Sequence, residues 1–174
     1  TLYNVSGNVI SSESVKLADV AANTLTNALT LDLTGMDSDL VFAKLELYDR
    51  RGKRADENTY WLTGDGRDLT AFNDMPAAVL KASVSADRRA GSELTGTVTL
   101  HNPSKYIAAA CVLDLVSTET DSVIRPVYFS DGYFFLMPGE RKEISFRLES
   151  GSAAGDSRLR FSAYNSPEQI IDAR

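Results

Sequence analysis

Only one cysteine and one histidine occur among the 174 residues. A single cysteine, Cys111, allows no internal disulfide, so stability has to come from buried apolar area. Zinc needs about four Cys, His or carboxylate ligands in local spacing, and we predict no metal site. Catalytic Ser-His-Asp and Cys-His arrangements need a histidine beside the nucleophile. His101 adjoins a proline-containing turn and is better explained as a strand-end residue, whereas Cys111 fits a buried apolar row.

Excess positive charge and long apolar stretches are also missing. The formal net charge is −6, whereas nucleic-acid surfaces need clustered Lys and Arg, so we predict no nucleic-acid partner. The longest apolar stretch, residues 107–113, is far shorter than the roughly 20 residues that a membrane-spanning helix requires. We therefore expect no membrane insertion.

Thr1 stands in place of a methionine and leads directly into a predicted strand, which favours a fragment whose targeting segment lies upstream.

Period-two alternation of apolar and polar residues runs through nearly the whole chain and predicts β-strands. Shorter strands are predicted at residues 15–17 and 28–33, and Gly52 predicts a turn at residues 49–53 before a return strand that ends at residues 60–62. The clearest alternation, at residues 40–49, predicts one core-facing and one mostly solvent-facing row: Val41, Ala43, Leu45 and Leu47 inward, and Phe42, Lys44, Glu46 and Tyr48 outward.

Strand-breaking residues between positions 64 and 76 predict a domain boundary. We predict one module at residues 1–76, which lacks upstream residues if the chain is a fragment, and a second at residues 77–174. The second half holds about seven short strands separated by turns, which is typical of a sandwich. Its predicted inward rows are Leu80, Ala82 and Val84; Leu94, Val98 and Leu100; Ile107, Ala109, Cys111, Leu113 and Leu115; Ile144, Phe146 and Leu148; and Leu159, Phe161 and Ala163. The predicted fold is all-β, with two tandem immunoglobulin-like β-sandwich domains.

Two segments carry a resemblance to a known family. Residues 101–105 read His-Asn-Pro-Ser-Lys before a long apolar strand, and residues 126–140 read Pro-Val-Tyr-Phe-Ser-Asp-Gly-Tyr-Phe-Phe-Leu-Met-Pro-Gly-Glu. This pattern resembles the C-terminal sandwich domain of glycoside hydrolase family 2 enzymes of the exo-β-glucosaminidase and β-mannosidase type. Gly132 stands where that family has Asn. The Lys-Leu-Glu-Leu and Tyr-Trp-Leu segments at residues 44–47 and 60–62 resemble the preceding immunoglobulin-like module of the same enzymes.

The resemblance implies a non-catalytic accessory region that braces its own upstream catalytic barrel and shapes part of the cleft. The parent is expected to be a periplasmic or secreted bacterial enzyme that hydrolyses a terminal β-linked mannoside or glucosaminide with retention, through two glutamates on the barrel. No cofactor is implied. A carbohydrate-binding or adhesion module, with a polysaccharide or oligosaccharide as partner, is the alternative, and a stand-alone structural protein is a third reading.

No pair among the 24 acidic residues stands out as a catalytic pair. Asp131 and Glu140 are better explained as turn residues, although Asp131 is also placed to reach a neighbouring domain or the rim of a substrate cleft. The aromatic residues at positions 128–135 favour core and inter-domain packing over sugar stacking, and Trp61 ends a strand near the predicted boundary. The candidate interface or sugar-contacting residues are Trp61, Tyr128, Phe129, Asp131 and Tyr133.

Two loop features near the boundary resemble ligand sites only in part. Asp65, Asp68 and Asp74 lack the full pattern of a calcium loop, so a solvated linker is favoured. The Gly-Asp-Gly run at residues 64–66 is not followed by a helix that would present backbone amides to a phosphate.

Overall fold

The computed structural model describes residues 1–33, 40–63, 68–88, 93–148 and 157–172. The chain divides into two compact units, Thr1–Asp74 and Met75–Arg174. Almost all regular structure is β-strand, which confirms the all-β prediction. The strands are β1 (Leu2–Asn4), β2 (Val9–Ser11), β3 (Leu40–Tyr48), β4 (Arg54–Thr63), β5 (Lys81–Arg88), β6 (Leu94–His101), β7 (Ala108–Ser117), β8 (Val127–Phe129), β9 (Phe134–Leu136), β10 (Arg141–Leu148), β11 (Ser157–Ala163) and β12 (Ser166–Asp172), with a short 3₁₀ helix at Thr70–Asp74.

Within the described ranges, no helix has both the length and the apolar character needed to cross a bilayer.

The described part of the first unit contains one antiparallel sheet of order β2-β1-β3-β4. β3 and β4 form a long hairpin that pairs Leu40 with Thr63 at its open end. The predicted turn closes it: Gly52 has a φ of +77°, and its amide donates to the Asp49 carbonyl at 3.0 Å. The Asp49 carboxylate accepts from the amide of Lys53 at 2.9 Å. The turn prediction is therefore confirmed, because glycine adopts this left-handed conformation at low cost.

The strands predicted at residues 15–17 and 28–33 are wrong. Residues 12–33 are all described and contain no strand. Instead, Leu31 and Leu33 belong to an irregular segment and pack, partly buried, against the cluster of Leu2, Val41 and Ala43 on the sheet. Alternation predicts which side chains seek a core, but a loop can bury two leucines without any backbone pairing. The apolar alternation at residues 28–33 is therefore met by partial burial of Leu31 and Leu33 and not by strand conformation.

The predicted faces of β3 are also partly wrong. Phe42 is fully buried and Lys44 is buried, although both were assigned to solvent, while Leu45 and Leu47 are exposed. The 3₁₀ helix explains the burial of Phe42, because the Phe72 ring meets the Phe42 ring edge-on at 5.7 Å between centroids. Lys44 is buried with a counter-ion, its ammonium lying 3.2 Å from the Glu57 carboxylate. Both faces of β3 are partly covered by other elements, and alternation alone cannot predict which side chains on each face are buried.

The second unit is a β-sandwich of two antiparallel four-stranded sheets, of order β5-β6-β10-β8 and β12-β11-β7-β9. One apolar core contains buried residues from both sheets, including Val98, Ile144, Leu115 and Phe161. The predicted inward rows are confirmed except at the start of β7, where Ile107 and Ala109 are buried but lie outside this core and Ala108 takes part in it instead. Ala82 and Val84 on edge strand β5 are partly buried against the same core.

A bulge in β7 was not predicted. Ala108 pairs with Leu136 of β9, and the next pairing to β9 is made by Cys111. Between them Ala110 has a φ of +48°, which L-residues other than Asn and Asp adopt rarely. β7 pairs with short β9 through Ala108 and Cys111 and with β11 through residues 112–117, so the bulge lies within the first of these stretches. Ala108 and Ala109, next to the bulge, are both fully buried.

Candidate functional site

A surface depression of about 280 Å³ lies in the second unit, between the middle of β7 and the segment that runs from residue 124 to residue 133. Its walls bring together β7 residues and the loop that joins β8 to β9. The lining residues are Val112, Leu113, Asp114, Leu115, Ile124, Arg125, Val127, Phe129, Asp131, Gly132 and Tyr133. We call it the β7–β8 depression.

The depression has an apolar floor and a polar rim. Leu113, Leu115 and Ile124 are buried members of the sandwich core. The rim holds the Asp114 and Asp131 carboxylates together with exposed Arg125. Ligand pockets commonly combine an apolar lining with a few polar groups in this way.

The rim carboxylates are held by basic partners on neighbouring strands. Asp114 pairs directly across the sheet with Arg160, and their side chains approach to 3.1 Å. The Lys142 ammonium lies 2.7 Å from the Asp131 carboxylate and 5.1 Å from the centre of the Phe134 ring. Each carboxylate offers about four lone-pair sites, so one basic partner leaves acceptor capacity for a ligand.

Hydrogen bonds fix the loop that carries Asp131. The Ser130 amide donates to the Ser145 carbonyl at 2.9 Å, and the Ser145 amide donates to Ser130 Oγ at 3.0 Å, so the loop is anchored on β10. Asp131 Oδ1 accepts from the Gly132 amide at 2.7 Å. At the far end of β9, Glu140 accepts from the Met137 amide at 2.9 Å, which confirms its expected role in closing a turn.

Tyr133 ends this loop in an unusual conformation. Its φ is +58°, and 75% of its surface is exposed. A bulky residue with positive φ is a conformational outlier, and such outliers concentrate at ligand-binding and catalytic sites. The backbone therefore presents a large aromatic side chain to solvent at the edge of the depression.

Three of the five candidate residues from the sequence lie around the β7–β8 depression: Phe129, Asp131 and Tyr133. Tyr128 does not line it, and the Arg147 guanidinium lies 5.0 Å from its ring centre. Trp61 belongs to the first unit, where it is half exposed and meets Phe72 edge-on at 6.2 Å.

Sequence reasoning missed the other polar members of the rim, Asp114 and Arg125. Asp114 sits on the polar row of β7, between two buried leucines, and looks like an ordinary solvent-facing residue. Its cross-strand partner Arg160 is 46 positions away, so the pair is recognisable only once the register of β7 and β11 is known.

The other side chains considered as catalytic or metal-binding candidates are the cysteine, the histidine and the loop aspartates. Burial raises the pKa of the Cys111 thiol to about 12, so the reactive thiolate is absent at neutral pH. His101 is the last residue of β6, as expected. Asp68 Oδ1 accepts from the Thr70 amide at 2.9 Å at the start of the 3₁₀ helix. Asp65 and the Gly-Asp-Gly run lie outside the described residues, and the part that is described holds no group of three His, Cys, Asp or Glu residues able to share a metal ion.

Two protein families match the chain. Residues 58–166 match the exo-β-D-glucosaminidase Ig-fold domain, and residues 1–63 match the mannosidase Ig/CBM-like domain. Both are immunoglobulin-like, which confirms the predicted fold class and the resemblance to the accessory domains of family 2 glycoside hydrolases.

Individual relatives agree with the family matches. An exo-β-D-glucosaminidase of Arthroderma benhamiae is 27% identical over 98% of this chain, and one of Hypocrea virens is 28% identical over 90%. The crystal structure of Amycolatopsis orientalis exo-chitosanase CsxA superposes with a TM-score of 0.86 and 25% identity over 99% of this chain and 23% of that chain. The chain spans about a fifth of the length of the curated relatives it matches, since it covers 20% of each.

Proposed function

Since the chain belongs to the family of exo-β-D-glucosaminidase Ig-fold domains, we propose that it supports the catalytic domain of a larger family 2 glycoside hydrolase that acts on β-D-glucosaminides. The observation that carries this proposal is the coverage. Nearly the whole chain aligns with a segment that makes up only 20% of a relative's length. That segment corresponds to the relative's immunoglobulin-like accessory region. Secretion of the parent belongs to the same proposal.

An apolar face in the first unit suits such a supporting role. Cross-strand pairing places Leu45, Leu47 and Tyr60 on one face of the sheet, with Asn58 and Asp56 opposite the two leucines. Leu31 and Leu33 cover the other end of this face, but these three side chains remain 41%, 49% and 48% exposed. Clustered exposed apolar residues mark interaction surfaces. We propose that the remainder of the parent chain, about four fifths of a relative's length, covers this face.

The exposed face supports a direct test with Leu47→Lys. In this chain alone the change should shift the free energy of unfolding by no more than about 0.5 kcal/mol, because the side chain is half exposed. In the full-length parent, the new ammonium and the Asp56 carboxylate directly opposite it would both lose water, and this desolvation should cost about 3 kcal/mol. Thermal unfolding of both forms measures the difference.

Leu69→Lys is the matched control, because Leu69 is 46% exposed and immediately precedes the 3₁₀ helix that packs on the opposite face through Phe72. It should be tolerated in both forms. Equal tolerance of Leu47→Lys in the parent and in the separate chain would contradict the proposed contact.

A further inference from the structure

We propose that the β7–β8 depression binds a single pyranose ring, with Tyr133 stacked on the apolar face of the sugar and Asp131 accepting hydrogen bonds from its polar edge. This binding activity is additional to the supporting role, and it stands on the geometry of the second unit alone. Three observations of different kinds meet at this place.

The first observation is the size and composition of the depression. Its volume of about 280 Å³ lies just below the range of ligand pockets for drug-sized molecules, which is about 300 to 1,000 Å³. A site of this size suits one ring rather than an extended polymer. A pyranose has an apolar face of C–H groups and a perimeter of hydroxyls. This matches a lining in which Val112, Val127 and Phe129 are partly exposed apolar residues inside a charged rim.

The second observation is the conformation and exposure of Tyr133. Tyr133 is 75% exposed and has a φ of +58°, which is a conformational outlier for a bulky residue. A residue in this left-handed conformation persists where its surroundings hold it in place. Tyr133 supplies a flat apolar surface with a polar hydroxyl, a combination suited to a ligand with one apolar and one hydrated side.

The third observation is the preorganised carboxylate. Lys142 at 2.7 Å and the Gly132 amide at 2.7 Å fix the orientation of Asp131. Its side chain is 41% exposed, so the carboxylate remains accessible. An ionised carboxylate accepts charge-assisted hydrogen bonds from a sugar hydroxyl or ammonium group, and these bonds are stronger than neutral ones.

The test is a titration of the full 174-residue chain with a glucosamine disaccharide and, separately, with cellobiose, followed by backbone amide NMR shifts. We expect a dissociation constant on the order of 1 mM, because only one ring of the disaccharide, about a dozen heavy atoms, would contact the protein. The shifts should map to residues 112–115 and 125–133. Saturation by the amino sugar alone would show that the ammonium group contributes, and saturation by both would show that the hydroxyls suffice.

Variants distinguish binding at this site from nonspecific binding elsewhere on the surface. Tyr133→Ala should weaken binding about three- to tenfold, whereas Tyr133→Phe should retain it because the ring remains. Tyr164→Ala is the matched control, since Tyr164 is 58% exposed and does not line the depression. The proposal is overturned if neither sugar shifts the lining residues at about 10 mM, or if Tyr133→Ala binds as well as Tyr164→Ala. That failure would leave the supporting role intact, because the supporting role is measured as stability of the parent.

Discussion

Replacing Gly96 with alanine should destabilise the second unit by about 3 kcal/mol, which corresponds to a fall in Tm of roughly 10–20 °C for a domain of this size. Gly96 lies on β6, between Ala86 of β5 and Phe146 of β10. A Cβ atom at this position would lie 2.6 Å from the Ser85 carbonyl oxygen and 2.6 Å from two carbons of the Phe146 ring. The ring can move, but the carbonyl belongs to the backbone of a paired strand.

Gly132→Ala is the matched control, because nothing lies within 4 Å of a Cβ atom built there. Its free energy of unfolding should change by no more than about 0.5 kcal/mol. The double change Gly96→Ala with Phe146→Leu should not recover the loss, since the clash with the Ser85 oxygen remains and a core ring is removed. A Gly96→Ala variant that melts at the wild-type temperature would contradict the close packing of β5, β6 and β10.

Replacing Asn102 with alanine should cost about 3 kcal/mol or more. Asn102 is fully buried, and its amide nitrogen donates to the carbonyls of Tyr106, Leu136 and Met137 at 2.7, 2.9 and 3.3 Å. Its Oδ1 accepts from the Ser104 amide at 3.1 Å. The Leu136 carbonyl would lose its donor, which costs about 1–3 kcal/mol for a buried acceptor. The Tyr106 and Met137 carbonyls keep Ser104 Oγ and the Glu140 amide as donors, and the rest of the loss comes from the Ser104 bond and the cavity. Denaturant unfolding of the second unit measures the loss.

Asn102→Asp separates two explanations for this residue. The aspartate retains an acceptor for Ser104 but directs a second oxygen at three carbonyls, so it should be at least as damaging as alanine. If the local turn at residues 102–104 were the only contribution, aspartate would restore wild-type stability, because Asp forms the same kind of turn. Wild-type unfolding of Asn102→Asp would therefore refute the cross-link between this turn and the end of β9.

The same residue shows how far sequence reasoning reaches. Asn-Pro-Ser predicts a turn, because Asn bonds its own backbone two residues on and proline restricts φ. The bond from Asn102 to the Leu136 carbonyl spans 34 positions and depends on tertiary packing. Local chemistry was therefore predictable, whereas the contact with the largest expected energetic effect was not.

The two units differ in how well alternation predicted them. In the second unit each strand has one face in the shared core, so rows such as Ile144, Phe146 and Leu148 were assigned correctly. In the first unit a 3₁₀ helix covers Phe42 and an irregular segment covers Val41, so both faces of β3 are buried at one end. The sequence pattern does not show which element packs on each face of β3.

The candidate site was predictable in part for a similar reason. Phe129, Asp131 and Tyr133 are neighbours in the sequence, so one aromatic segment identified all three as candidates. Asp114 comes from a different strand and joins them only through the sandwich fold. The positive φ of Tyr133 has no sequence signature, because tyrosine rarely adopts it.

The most direct test of the central claim, that this chain is an accessory and not a catalytic region, is an assay of the purified 174-residue chain on aryl β-D-glucosaminides and β-D-mannosides. Glycoside hydrolysis needs two carboxyl groups about 5–10 Å apart across the sugar, and in the β7–β8 depression Asp114 and Asp131 are each paired with a basic side chain. We predict no turnover above the uncatalysed rate. Turnover that disappears when one carboxylate of this chain is replaced by its amide would contradict the claim.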